Sequence, residues 1–444
     1  MRKPFVFAGA SSGLVIVRLV TVFFILGTPV GAQTIAPQAA QHLTLKDAEQ
    51  RAVQNHPEVR AGEYNALAAG ETLREVRSAY LPTVFANFTG AQALPGSAIA
   101  AGGLNSSSVL DRFSYGFTAS QLLTDFGRTP SLSASASLRV DANEQDVAAR
   151  KADVLLRVDR AYFDALRAQA VTRVAEQTVG ARQIAVDQVS ALANTGLKSS
   201  LDLSFAKVNL GEAQLLLLQA RNDLQASYAR LSAALGTSQA TTYDLADEPM
   251  PGAPPPDSAM LIAEAMHDRP DLARERITQQ SDLKFATAER NLWMPSVSLI
   301  GVGGLTPYHQ VGLADRYSAV GLNVSVPVTT GTSFAARRAE ANFKASAQQQ
   351  AVDNLQNQIA RDVQVAWLDA QTAYQKLDVT NQLLAETNDA LELAQQRYNL
   401  GLSSIVELTQ AQLNQTSAQI EQATARYDYQ ARNSALRYQT GALK

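Results

Sequence analysis

Leu355, Ile359, Val363, Ala366, Ala370, Ala373 and Leu377 recur at steps of three and four, and Leu377, Leu384, Leu391 and Tyr398 then recur at steps of seven. An apolar spacing near 3.5 residues keeps one stripe facing a neighbouring helix, so this run predicts a coiled-coil seam rather than a globular amphipathic helix. No proline interrupts residues 131–248 or 328–444, tracts of 118 and 117 residues. Each can therefore hold very long helices. At 1.5 Å per residue, helices of roughly 65 residues span about 95 to 100 Å. Glycine breaks each tract once, at Gly196-Leu197 and Gly401-Leu402, and each break is followed by a new helix start. Ser199 with Asp202, and Ser404 with Glu407, have the Ser-x-x-acid spacing of a capping box, in which Asp is the poorer partner. Each tract therefore reads as a long helical hairpin.

A second period appears before each tract. Val84, Ala86 and Phe88 alternate with Thr83, Asn87 and Thr89, and Phe113, Tyr115, Phe117 and Ala119 alternate with Ser114, Gly116, Thr118 and Ser120. Val297 and Leu299 after Pro295, then Val320, Leu322, Val324 and Val326 alternating with Gly321, Asn323 and Ser325, repeat the pattern. A period of two with one apolar face predicts four strands of about 10 residues, the length that crosses a tilted path through a bilayer. Four strands cannot close a barrel, and hydrocarbon does not tolerate an open sheet edge. Two chains would supply eight strands around a packed interior, and three would supply twelve around a lumen. The alternative is a soluble four-stranded sheet packed on the helices.

The same order of signals is written twice. Pro57 and Pro82 match Pro270 and Pro295 at an offset of 213; Gly127 matches Gly331 at 204; Ala161, Asp164, Gly196, Leu203 and Gly236 match Ala366, Asp369, Gly401, Leu408 and Gly441 at 205. These anchors predict a first repeat over 43–240 and a second over 257–444. The connector 241–256 includes a stretch, 249–256, in which five of eight residues are Pro. Such a stretch is extended, neither helix nor central strand.

Composition narrows the chemistry. There is no cysteine among the 444 residues, which removes disulfides, thiolate metal sites and cysteine nucleophiles, and the four histidines are scattered singly. A formal net charge of −3 gives no reason to expect nucleic acid as a partner. Arg2 and Lys3 precede an apolar run, and Val30, Gly31 and Ala32 are small, so residues 1–32 read as a signal peptide cut after Ala32. A single membrane anchor is the rival, but the uninterrupted apolar part, residues 19–26, is far shorter than the ~20 residues a spanning helix needs. No nucleophile constellation, metal cluster or phosphate loop is present, so neither enzyme chemistry nor a cofactor is expected.

Taken together, the paired Asn/Asp-x-Pro helix starts at Pro57 and Pro270, the prolines 25 residues later, the duplicated strand pairs and the Gly-Leu turns resemble the TolC-like outer-membrane efflux proteins over almost the whole mature chain. The resemblance implies an α+β membrane protein. In it a homotrimer shares a 12-stranded barrel in outer-membrane lipid, continuous with a periplasmic barrel of coiled helices. It further implies a passive exit duct that a periplasmic adaptor joins to an inner-membrane transporter in an efflux or secretion system.

Carried over by position, Gly196, Leu197, Gly401 and Leu402 become the tips that dock the adaptor. Asp202 and Tyr398 become a hydrogen-bonded pair across the closed entrance, and Glu407 an acidic ring. Ser403 stands where some members carry a gate arginine, and Gln410 where they carry a second acid. The plainer alternatives are that the glycines are helix C-caps, Asp202 and Glu407 capping residues, and Tyr398 the last seam position. Asp164 and Asp369 recur in both copies without a His or Ser nearby, which suits a solvated or interhelical role. An exported coiled-coil scaffold or adhesin without a pore is the competing function.

Overall fold

In a computed structural model the described residues are 41–92, 98–101, 104–108, 112–237, 241–309 and 314–443. The signal sequence expected over residues 1–32 lies outside them. The chain begins with β1 (Gln41–Leu43), α1 (Leu45–Asn55) and α2 (Pro57–Ser78), then runs through β2 (Thr83–Ala91), β3 (Ala98–Ala101), β4 (Leu104–Ser108) and β5 (Arg112–Thr124) into α3 (Arg128–Asn194) and α4 (Ser200–Ala234). After β6 (Tyr243–Leu245) come α5 (Ser258–Asp268), α6 (Pro270–Arg290), β7 (Ser296–His309), β8 (Arg316–Ser325), α7 (Ser333–Asn399) and α8 (Ile405–Gln439).

Both α3 and α7 have 67 residues, and both α4 and α8 have 35. A 67-residue helix is roughly 100 Å long. Six glycines of the described residues have positive φ, and they fall into three pairs one repeat apart: Gly127 and Gly331, Gly196 and Gly401, Gly236 and Gly441. Pro57 and Pro270 occupy the first turn of α2 and α6, where the missing N–H is not needed. The seam emerges as its spacing requires. Ile359, Val363, Ala370, Ala373 and Tyr398 are buried, and Leu355, Ala366, Leu377, Leu384 and Leu391 half-buried.

The main apolar core surrounds the middle of α3. Val154, Val158, Tyr162 and Leu166 of α3 pack with Leu231 of α4, Leu43 of β1 and Tyr243 of β6. Here β1 and β6 pair in parallel, and the Tyr162 hydroxyl lies 3.0 Å from the Leu43 carbonyl and 2.7 Å from that of Ala246. The proline-rich connector crosses α7 and α8 as an extended strap. The Trp367 indole N–H donates to the Pro255 carbonyl at 2.7 Å, the Gln430 amide donates to that of Glu248 at 2.9 Å, and Tyr429 bonds the Gly252 carbonyl.

The four expected strands form one antiparallel sheet in the order β2-β5-β7-β8. β5 and β7 are longer than foreseen, at 13 and 14 residues. A short hairpin, β3 with β4, occupies the Gly, Ala and Ser-rich loop that had no strand expected in it. Register assigns Val84, Phe88, Tyr115, Phe117, Leu299, Leu305, Val320, Leu322 and Val324 to one face. The other face carries Thr83, Asn87, Gly116, Thr118, Ser120, Ser298, Gly304, Asn323 and Ser325, interspersed with Phe85, Ile300 and Val302.

Candidate channel wall and helical tips

The sheet shows what kind of wall it can make. Phe88, Phe117, Val320 and Leu322 are 76%, 65%, 80% and 67% exposed, so the apolar face has no partner within the chain. On the opposite face the Asn87 amide donates to the Thr118 hydroxyl at 2.9 Å, a cross-strand polar pair. Outer strands β2 and β8 each have a neighbour on one side only. A mainly apolar face, a mainly polar face and two edges unpaired within the chain leave this sheet open to pairing beyond its own four strands. Among the described residues no helix is long and apolar enough to cross a membrane.

The helical hairpins turn by one backbone device. At the first tip the Leu197 N–H donates to the Leu192 carbonyl at 2.9 Å and the Gly196 N–H to that of Ala193 at 3.0 Å. At the second, the Leu402 N–H donates to Arg397 at 2.8 Å and the Gly401 N–H to Tyr398 at 3.1 Å. These paired bonds close the helix end around a left-handed residue, which is why glycine stands at φ 76° and 73°. Capping explains the glycines, and it leaves Leu197 and Leu402 at 72% and 67% exposed.

Side chains at the two tips differ from expectation. Asp202 completes its capping box: its carboxylate accepts the Ser199 N–H at 3.2 Å while the Ser199 hydroxyl accepts the Asp202 N–H at 3.1 Å. Glu407, the better capping residue by type, fills only half of its box. Ser404 accepts the Glu407 N–H at 3.4 Å, but the carboxylate is drawn to the Arg397 guanidinium at 3.2 Å. The expected bond between Tyr398 and Asp202 is not formed within the chain. The Tyr398 hydroxyl is buried without a hydrogen-bond partner, and Lys198 Nζ sits 3.7 Å from the centre of its ring. Burial raises the Tyr398 pKa above its ordinary value, and the Asp202 charge adds to the effect.

Ser403 Oγ is likewise buried without a partner, and the Gln410 amide donates to Asn414 at 2.9 Å. Sequence reasoning missed Arg397 and Lys198. A basic residue in the last turn of α7 was a readable signal for the first, as a complement to the helix dipole.

Other contacts join the hairpins. The Asn209 amide of α4 donates to Thr409 of α8 at 2.9 Å. A cleft of about 690 Å³ lies between the hairpins near the tips, lined in part by Arg182, Val189, Asn209, Tyr398 and Leu408. Asp164 pairs with Arg167 one turn along its own helix at 2.9 Å, whereas Asp369 pairs with Arg432 of α8 at 2.9 Å.

A sheet with one lipid-compatible face and helices of this length narrow the class to envelope channels. The sequence model described as "Outer membrane efflux protein" matches residues 48–237 and 261–442, so the chain belongs to that family. TolC of Vibrio cholerae is 25% identical over 403 residues, covering 88% of this chain and 89% of its own. BepC of Brucella suis is 20% identical over 409 residues, covering 91% and 87%. Among solved structures, a membrane protein from Pseudomonas aeruginosa superposes with a TM-score of 0.79 at 22% identity, covering 89% of this chain and 90% of its own. The open-state MtrE channel of Neisseria gonorrhoeae gives 0.73 at 19%, covering 89% and 88%. The protein is an outer-membrane efflux protein, located in the outer membrane with its helical part in the periplasm.

Proposed function

We propose that three copies of this chain form one passive exit duct, serving an inner-membrane transporter through a periplasmic adaptor. The observation that carries the reading is the four-stranded sheet with apolar face and free edges at β2 and β8. Pairing the β8 edge of each copy with the β2 edge of the next closes twelve strands and leaves no edge in hydrocarbon. Twelve strands are too many for side chains to fill, so a lumen results. The helices of three hairpin pairs then continue that lumen for about 100 Å. Relatives of similar length, TolC and BepC among them, support the reading.

At the far end, Gly196, Leu197, Gly401 and Leu402 dock the adaptor, because exposed leucines on rigid caps give an apolar contact with little ordering cost. Asp202, Tyr398 and Glu407 stand around the entrance. Its resting contacts within a chain are the Lys198–Tyr398 stack and the Arg397–Glu407 pair rather than a bond between Tyr398 and Asp202.

Purified protein in planar bilayers tests the duct. Discrete, cation-preferring conductance steps are expected, with membrane fractions retaining the protein against high salt. Release by salt together with a silent bilayer would favour the coiled-coil scaffold without a pore.

A further inference from the structure

One row of the polar face is built differently from the rest. Asn87, Gly116, Gly304 and Tyr317 are paired in succession across β2, β5, β7 and β8, on the face of Thr118 and Asn323. The Tyr317 ring does not stand away from the sheet. It folds back over both glycines: a Cβ added to Gly116 would lie 2.5 Å from the Tyr317 hydroxyl oxygen, and one added to Gly304 2.5 Å from that oxygen and 2.6 Å from ring carbon Cζ. A Cβ at Gly116 would also meet the Gly303 carbonyl oxygen at 2.4 Å, and one at Gly304 that of Tyr115 at 2.4 Å, so a side chain at either position would strain the paired backbone as well as lift the ring.

The row has a definite place along the strand. Tyr317 is the second residue of β8, eight residues before Ser325, and α7 follows from Ser333. At about 3.4 Å per residue it is roughly 27 Å along the strand from the helical end of the sheet, which at a barrel tilt of about 40° is roughly 20 Å of height, in the outer part of an apolar band ~25 Å tall.

We infer that Tyr317 sets the bore of the lumen near its exterior mouth, and that Gly116 and Gly304 are the niche that holds its ring against the wall. The inference rests on the closed-barrel reading, in which the apolar face meets lipid and the face of Tyr317 meets the lumen. An aromatic side chain standing off the wall at three symmetric positions narrows a passage by its length. Laid flat on glycine it narrows it only by its thickness. One face of each ring remains open to what passes, since Tyr317 is 37% exposed.

The chain has no cysteine, so a single introduced thiol is a clean reporter. Asn323→Cys lies on the same face, six residues deeper, and would be labelled on intact cells from outside with maleimides of graded size. In that background Tyr317→Trp, whose ring exceeds the niche, is expected to slow labelling by the largest admitted reagent at least tenfold. Tyr317→Ala is expected to admit the next larger one, while the smallest reagent labels the parent and both variants alike and reports an intact barrel. The same size limit in the parent, the tryptophan variant and the alanine variant would overturn the inference and leave the duct standing. Labelling of Ser318→Cys but not Asn323→Cys by the smallest reagent would instead reverse the two faces and remove the barrel reading with it. If the tryptophan variant does not assemble, the alanine variant decides alone: an unchanged limit contradicts the inference and a larger one supports it.

Discussion

The two hairpin tips have nearly the same backbone and different electrostatics. Gly196 and Gly401 hold the same left-handed conformation, close the same pair of hydrogen bonds and are followed by an exposed leucine and a serine cap. Yet Asp202 folds inward to its cap, while Glu407 is taken by Arg397 across the turn. Duplication has preserved what the chain geometry needs. Charge, which costs little to rearrange on an exposed surface, has diverged. Deeper in the helices the copies part further: Asp159 of α3 is fully buried, whereas its counterpart one repeat on, Gln364 of α7, is exposed.

If the shared feature of the tips is a docking surface, Leu197→Asp with Leu402→Asp should abolish adaptor binding. Each single change should weaken it at least tenfold, with helical circular dichroism unchanged. Adaptor capture by the double variant at the wild-type level would reduce both tips to caps.

Asp159 is the sharpest difference between the repeats. Burial pushes its pKa up to about 7, with a hydrogen bond from Ser434 and the Arg437 charge of α8 opposing the shift and Glu49 of α1 adding to it. A carboxyl neutral in the fold but ionised when unfolded penalises the folded state progressively as pH rises from about 4 to 7, and fully above that. Asp159→Asn should therefore raise the denaturation temperature at pH 8, by a gain on the order of a few kcal/mol per chain, and leave it nearly unchanged at pH 4. Equal effects at both pH values would show that the carboxylate finds compensation.

Glycine caps offer a matched pair within one repeat. Gly401 has φ 73° and open space around a notional Cβ, while Gly441 has φ 76° and would place one 2.9 Å from the Asp268 carbonyl carbon. Gly401→Ala should cost about 1 to 2 kcal/mol, the ordinary left-handed penalty. Gly441→Ala should cost more, because the backbone at the start of α6 must also move. Thermal denaturation of the two variants gives the order directly. The smallest effect is expected for Tyr398→Phe. Its hydroxyl is buried without a partner, so the change should leave stability equal or slightly higher and leave resting conductance unaltered. A large rise in conductance would restore a gating bond from that hydroxyl, made in the assembly.

The long helices, their seam, the glycine breaks and the four strands were legible because each rests on a period or on a residue with a unique backbone role. Ile359, Val363 and Ala370 fall at the spacing that buries them, and Gly196 and Gly401 need a conformation other residues resist. The β3–β4 hairpin was not legible, since its Gly, Ala and Ser-rich segment has no alternation. Contacts at the tips were only partly so. Residue type ranked Glu407 above Asp202 as a cap, but type says nothing of Arg397 across the turn. Nor could it place Lys198 over Tyr398, which depends on how the two hairpins pack.

Lumen, tunnel and exterior constriction all depend on this chain completing its barrel with two further copies of itself. Native mass measurement of the mature protein extracted in mild detergent tests that dependence most directly. A single species with the mass of three chains is predicted, and separated monomers should aggregate through their open edges. A stable, monodisperse monomer would contradict the closed barrel, and with it the lumen, the tunnel and the place given to Tyr317.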